Sequence, residues 1–137
     1  MFLPDFPEKI AKELCKLSWK SQLKVRRILS VELCPISCLD KGQLLPVKNG
    51  FILRIRIDLE EDERLFTLGH ELGHTYFYSY SSAGSPRLIN MGHTSLEETW
   101  CDNFSKEWLK NLTSVDRDYL EWLLKYIEKM ENKTAQF

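Results

Sequence analysis

The chain has 137 residues, one domain's length, and its 43% hydrophobic and 28% charged residues are those of an ordinary globular protein with a core to bury. A formal net charge of −1 supplies no general attraction to nucleic acid or anionic lipid. No apolar run reaches membrane-spanning length and the first residues lack the order of a secretory signal, so the expectation is a cytoplasmic protein without a membrane segment.

Residues 7–30 read as helical, in two pieces broken near Ser18. Ile10, Leu14, Leu17, Leu23 and Ile28 give an apolar side, while Lys9, Lys12, Lys16, Lys20, Lys24 and Arg27 recur at three- and four-residue intervals as a solvated basic stripe. Cys15, Cys34, Cys38 and Cys101 read as reduced thiols. The Cys34–Cys38 pair supplies two ligands where a closed structural zinc site needs four, so it reads as buried small residues.

Residues 43–57 read as a β-hairpin turning at Asn49-Gly50, a pair that tolerates the positive φ of a type I′ turn. Phe51, Leu53, Ile55 and Ile57 alternate with Ile52, Arg54, Arg56 and Asp58, the period of a strand with one apolar and one mixed face. Pro46 cannot donate a ladder hydrogen bond and predicts an edge position for the preceding strand.

From about Glu61 to Tyr78 the period becomes helical, with Leu65, Leu68, Leu72 and Tyr76 on one side and Glu60, Glu61, Asp62 and Glu63 at the start, where the helix dipole favours them. Within this helix lies His70-Glu71-Leu72-Gly73-His74, an H-E-x-x-H motif. Positions i and i+4 share a helix face, so both imidazoles reach one metal ion, and Glu71 projects beside them as the candidate base for metal-assisted hydrolysis. Two of the chain's three histidines fall in this motif, which argues against a chance match. Gly73 costs roughly 1 kcal/mol against alanine in a helix interior, so close packing is expected against it.

Residues 79–93, with Ser, Gly and Pro, read as a loop, and a second helix starts at Thr94 or Ser95 and runs to about Leu112. A catalytic zinc takes three protein ligands and keeps one position open. The candidates for the third are His93, Glu97, Glu98 and Asp102. Glu98 and Asp102 are one turn apart, so one can bind metal while the other accepts a hydrogen bond from a ligand histidine. Glu97 points about 100° away from Glu98 and reads as a helix-cap residue. His93, entering the helix, is the first candidate for a catalytic donor to the oxyanion, ahead of Tyr76, Tyr78 and Tyr80, which read as core residues. A last amphipathic helix, roughly Val115 to Met130, carries Tyr119, Leu120, Leu123, Leu124 and Ile127.

Arg64-Leu65-Phe66-Thr67-Leu68-Gly69-His70-Glu71-Leu72-Gly73-His74, followed by Glu98-Thr99-Trp100-Cys101-Asp102-Asn103-Phe104-Ser105, resembles the ImmA/IrrE family of bacterial metallopeptidases over roughly residues 44–110. The family pairs an H-E-x-x-H helix, preceded by R-x-x-T-x-A/G, with a later E-x-x-A-N/D-x-F-A helix whose Glu is the third zinc ligand. The resemblance implies a zincin-like fold and Glu98 as that ligand, with Cys101 at the small position and Asp102 at the Asn/Asp position. It also implies, as a protein substrate, a transcriptional repressor or another regulator. The chain departs from the family after Glu107-Trp108-Leu109-Lys110, where a Met-Pro is often found.

The reading is therefore one metallopeptidase domain over 1–137, its core roughly 44–112, with flanking helices 7–30 and 115–130. Its class is α+β, with helices around a small antiparallel sheet and zinc between two helices, held by His70, His74 and Glu98. Glu71 is the base. An extended peptide is expected to pair with the Phe51–Ile57 strand. The rival reading is a non-catalytic metal-binding module for a regulatory protein; a base at Glu71 argues against it.

Overall fold

The computed structural model describes residues 26–37, 40–80, 84, 86–88 and 95–135. The alternation after Gly50 forms the centre of a sheet. Strands β1 (Ile28–Cys34), β2 (Gly42–Val47) and β3 (Gly50–Arg56) pair in the order β1-β3-β2, and Phe51, Leu53 and Ile55 of β3 are fully buried.

The sheet is mixed, not antiparallel: β2 is antiparallel to β3 but β1 runs parallel to it. This corrects the helical reading of residues 7–30 at its end, since Ile28 opens a strand. Arg27 sits at φ 57°, which stops any right-handed helix there, and its carbonyl accepts the Phe51 N–H at 2.9 Å. Pairing with β3 decides the conformation of a segment whose local signal is weak. The rest of the predicted helical stretch, 7–25, lies outside the described residues, as do Cys15 and Cys38. Cys34 and Cys101 are buried and in no disulfide.

The hairpin turns one residue earlier than expected. Val47 pairs with Gly50, so the two-residue loop is Lys48-Asn49, and only Asn49 has positive φ, at 72°. Gly50 serves close approach instead: a Cβ there would overlap the Arg27 carbonyl. As Pro46 predicts, β2 lies at the edge. Arg56 N–H donates to the Lys41 carbonyl at 2.7 Å, which fixes the ladder phase. Gln43, Leu45 and Val47 therefore turn their backbone groups to β3, and Gly42, Leu44 and Pro46 turn theirs outward. Pro46, lacking an N–H, occupies an outward position.

Helix α1 (Glu61–His74) packs Leu65, Leu68 and Leu72 into the core, and a single 3-10 turn follows over Thr75–Phe77. The helix stops short of the expected Tyr78. Thr75 Oγ1 donates to the Leu72 carbonyl at 2.6 Å, and Arg26 donates to the Thr75 carbonyl at 2.9 Å, so these acceptors are satisfied without another helical turn. The expected loop contains a short antiparallel pair, β4 (Tyr78–Tyr80) and β5 (Pro86–Leu88). Helices α2 (Ser95–Asn111) and α3 (Ser114–Ala135) complete the chain, α3 running further than expected. Arg64 ties α1 to its surroundings: it donates to the Leu59 and Ile57 carbonyls at 3.0 and 2.9 Å and pairs with Glu128 of α3 at 3.0 Å. No helix among the described residues is long and apolar enough to cross a membrane.

What brings α1 and α2 together is a glycine seam. A Cβ at Gly73 would lie 3.2 Å from the Phe104 ring and 3.3 Å from Cys101 Sγ, the close packing its cost predicts. One turn earlier, a Cβ at Gly69 would overlap Ser105 and the Trp108 ring. Ser105 Oγ, fully buried, donates to the Phe66 carbonyl at 2.6 Å across the same seam.

Candidate metal centre

The seam decides what α2 presents to the motif. With Cys101, Phe104, Ser105 and Trp108 buried against α1 and the core, the first turns of α2 carry Glu97, Glu98 and Asp102 alongside His70 and His74. His70 Nε2 and His74 Nε2 approach to 3.1 Å, with their rings at 76°. Glu98 bridges them, with Oε2 2.9 Å from His70 Nε2 and Oε1 3.2 Å from His74 Nε2. On the far side of each ring a carboxylate holds Nδ1: Asp102 at 2.8 Å for His70 and Glu97 at 2.6 Å for His74.

This arrangement fits a metal ion. Each Nδ1–H donates to a carboxylate, which leaves both Nε2 atoms with lone pairs facing one another and a third acceptor, Glu98. Such a convergence of acceptors repels itself until a cation joins it. The separations of 2.9, 3.1 and 3.2 Å are close to the edge of about 3.3 Å expected for a tetrahedron of ligands about 2 Å from an ion. His70, Glu71 and His74 by themselves place one donor atom each within 4.8 Å of one another.

Glu97 is the residue that sequence reasoning misassigned. It is fully buried and holds His74 Nδ1, so it orients that ring rather than caps α2. The 100° offset from Glu98 was read correctly as geometry, but it places Glu97 on the face that meets the second histidine. The signal was present: two histidines one turn apart offer two Nδ1 atoms to be held, and the facing helix carries adjacent carboxylates.

Glu71 is 7% exposed and faces the centre from α1. Burial, reinforced by the nearby charges of Glu98, Asp40 and Glu97, pushes its carboxyl up to about 8. The start of β2 passes directly over it; a Cβ at Gly42 would lie 3.1 Å from Glu71 Cγ and overlap Thr67. Two clefts open from the centre. One, of about 540 Å³, runs past Asp40, Asp62 and Phe66, and the other, of about 270 Å³, runs along Gln43, Leu44 and Leu45 of β2.

His93 lies outside the described residues. Tyr76 stacks under Arg26, whose guanidinium carbon is 3.9 Å from the ring centroid, and touches Trp100 and Phe104, a packing role. Tyr78 is half-buried edge-on to Phe51, and burial, with the charges of Glu97 and Glu71, raises its hydroxyl above the ordinary value. Comparison with protein-family models, curated proteins and solved structures finds no match for this chain.

Proposed function

We propose that the chain is a zinc-dependent endopeptidase, in keeping with the resemblance of its two helical motifs to the ImmA/IrrE metallopeptidases. The observation that carries this reading is the convergence of His70 Nε2, His74 Nε2 and Glu98 beside a buried Glu71 whose carboxylate makes no hydrogen bond among the described residues. Two imidazoles and one carboxylate are the donor set of many hydrolytic zinc sites. When bound there, the ion supplies Lewis acidity, lowering the pKa of water and polarising a carbonyl.

The protein's own groups supply the rest. Asp102 and Glu97 fix the tautomers of His70 and His74 so that Nε2 of each stays a lone-pair donor. Glu71 takes the proton of the attacking water and returns a proton to the departing amine. Its elevated pKa makes the return step easier than it would be for an exposed carboxylate, while a cation at the centre favours the ionised form needed for the first step.

The polypeptide to be cut pairs with β2, not with the Phe51–Ile57 strand first expected. Both edges of β3 are already occupied, whereas Gly42 and Leu44 of β2 turn N–H and C=O groups outward beside Glu71. Strand addition needs an extended partner, so unfolded segments of a protein are the substrates, a repressor or other regulator among them. The test is reconstitution with zinc and incubation with an unfolded polypeptide. Wild type should cut it, and both Glu71→Gln and a chelator should stop the reaction. Tight zinc binding with no cleavage of any unfolded chain would reduce the protein to a metal-binding interaction module.

A further inference from the structure

We propose that the larger cleft selects a cationic side chain, lysine or arginine, next to the bond that is cut, with Asp40 and Asp62 as the residues that recognise it. The inference rests on the peptidase reading and names its substrate class.

Charge is the first argument. Six carboxylates line this cleft, those of Asp40, Asp62, Glu63, Glu71, Glu98 and Asp102, against the single ammonium of Lys41. A divalent ion at the histidines leaves that balance negative. The commitments of these groups differ. Asp102 holds His70, Glu98 bridges the two imidazoles, and Glu63 pairs with Lys41 at 3.2 Å. Asp40 and Asp62 make no hydrogen bond or ion pair among the described residues. They lie on opposite elements, Asp40 just before β2 and Asp62 in the first turn of α1, and both border the same opening. Asp40 also borders the smaller cleft beside Glu71, His74 and Glu98, so it stands where both clefts meet the centre.

A buried group supplies the second argument. Glu71, 7% exposed, opens onto this cleft and its carboxylate makes no hydrogen bond among the described residues, so that carboxylate's partner comes from what enters. Shape is the third. The cleft holds about 540 Å³, room for a long side chain, and Phe66 on its wall offers an apolar surface for the methylene stem. The smaller cleft runs along Gln43, Leu44 and Leu45 and shares Asp40, Glu71 and Glu98 with the larger one. A polypeptide lying along β2 therefore passes Asp40 where the smaller cleft joins the larger one.

The test separates recognition from cutting. Zinc-loaded Glu71→Gln protein is titrated with labelled unstructured peptides identical except for one residue, Arg, Leu or Glu. The Arg peptide should bind on the order of tenfold more tightly than the Leu peptide and lose that advantage as salt is raised. Asp40→Asn combined with Asp62→Asn should abolish the preference with zinc content unchanged, and Asp40→Lys should favour the Glu peptide. Equal affinities for all three peptides, or a preference that survives the double substitution, would overturn the inference. Wild-type digestion of the same peptides tests the underlying reading separately. Cleavage without charge preference keeps the peptidase and removes the subsite; charge-selective binding without cleavage keeps the subsite and removes the peptidase.

Discussion

At the scale of single residues the centre has two layers, and its substitutions should sort accordingly. If zinc is held as proposed, His70→Ala, His74→Ala or Glu98→Ala would remove one of three ligands and should reduce zinc content well below one ion per chain after dialysis. Asp102→Ala and Glu97→Ala leave the ligand set whole but release a ring, so each should weaken zinc by roughly 10- to 100-fold in a chelator competition. Glu97→Ala should also destabilise the fold more than Asp102→Ala, because Glu97 is fully buried and 2.6 Å from His74 while Asp102 is half exposed. Equal zinc affinity of Glu97→Ala and wild type would return Glu97 to the role of a cap. Glu71 gives a pH signature. Its native carboxyl ionises near 8 against an ordinary 4.5, so the unfolded chain gives up the proton first. The stability that Glu71 contributes to the metal-free protein is therefore full below about 4.5 and lost as pH rises through about 8. Thermal melts of metal-free wild type and Glu71→Gln should show wild type losing ground over that window. A constant difference between them would refute the shift.

At the scale of elements, what could be read in the sequence depended on whether the signal was local. The alternation of Phe51, Leu53 and Ile55 and the spacing of Leu65, Leu68 and Leu72 are local patterns, and the strand and helix they predict are present. So is the edge position that Pro46 requires. Strand β1 was hidden because its formation depends on a partner, β3, some twenty residues on. The helix seam was half legible. Gly73 stood out as a cost inside a helix, yet Gly69 meets the tighter contact, and nothing local to either glycine says which residue of α2 lies opposite. Of the candidate metal centre, the two histidines and Glu71 are visible by spacing and the pairing of Glu98 with Asp102 by their one-turn separation; the place of Glu97 against His74 needs the packing angle of α2. A direct check compares alanine at the two glycines. Gly69→Ala, facing Ser105 and the rigid Trp108 ring, should cost roughly 1–3 kcal/mol in chemical denaturation and weaken metal binding as α2 is pushed away. Gly73→Ala should cost less, since its neighbours stand at 3.2–3.4 Å. The reverse order would mean that the helices meet elsewhere.

At the scale of the whole molecule, the proposed zinc would link metal to fold. An ion that binds only the native state stabilises it by about 2.7 kcal/mol at a hundredfold excess over Kd. Added zinc should therefore raise the melting temperature of wild type but not of His74→Ala; an equal rise in both would point to binding elsewhere. The distribution of that stabilisation follows from one feature of the centre: the three donors and both orienting carboxylates come from α1 and α2, and none from the sheet. In the language of hydrogen exchange, α1 and α2 of the metal-free protein can open as separate units, each with its own free energy. Once they share an ion, neither can open without releasing it. Their amides should then slow together and converge on one free energy of opening. The ion would thus convert two neighbouring helices into one cooperative unit, without a covalent link between them.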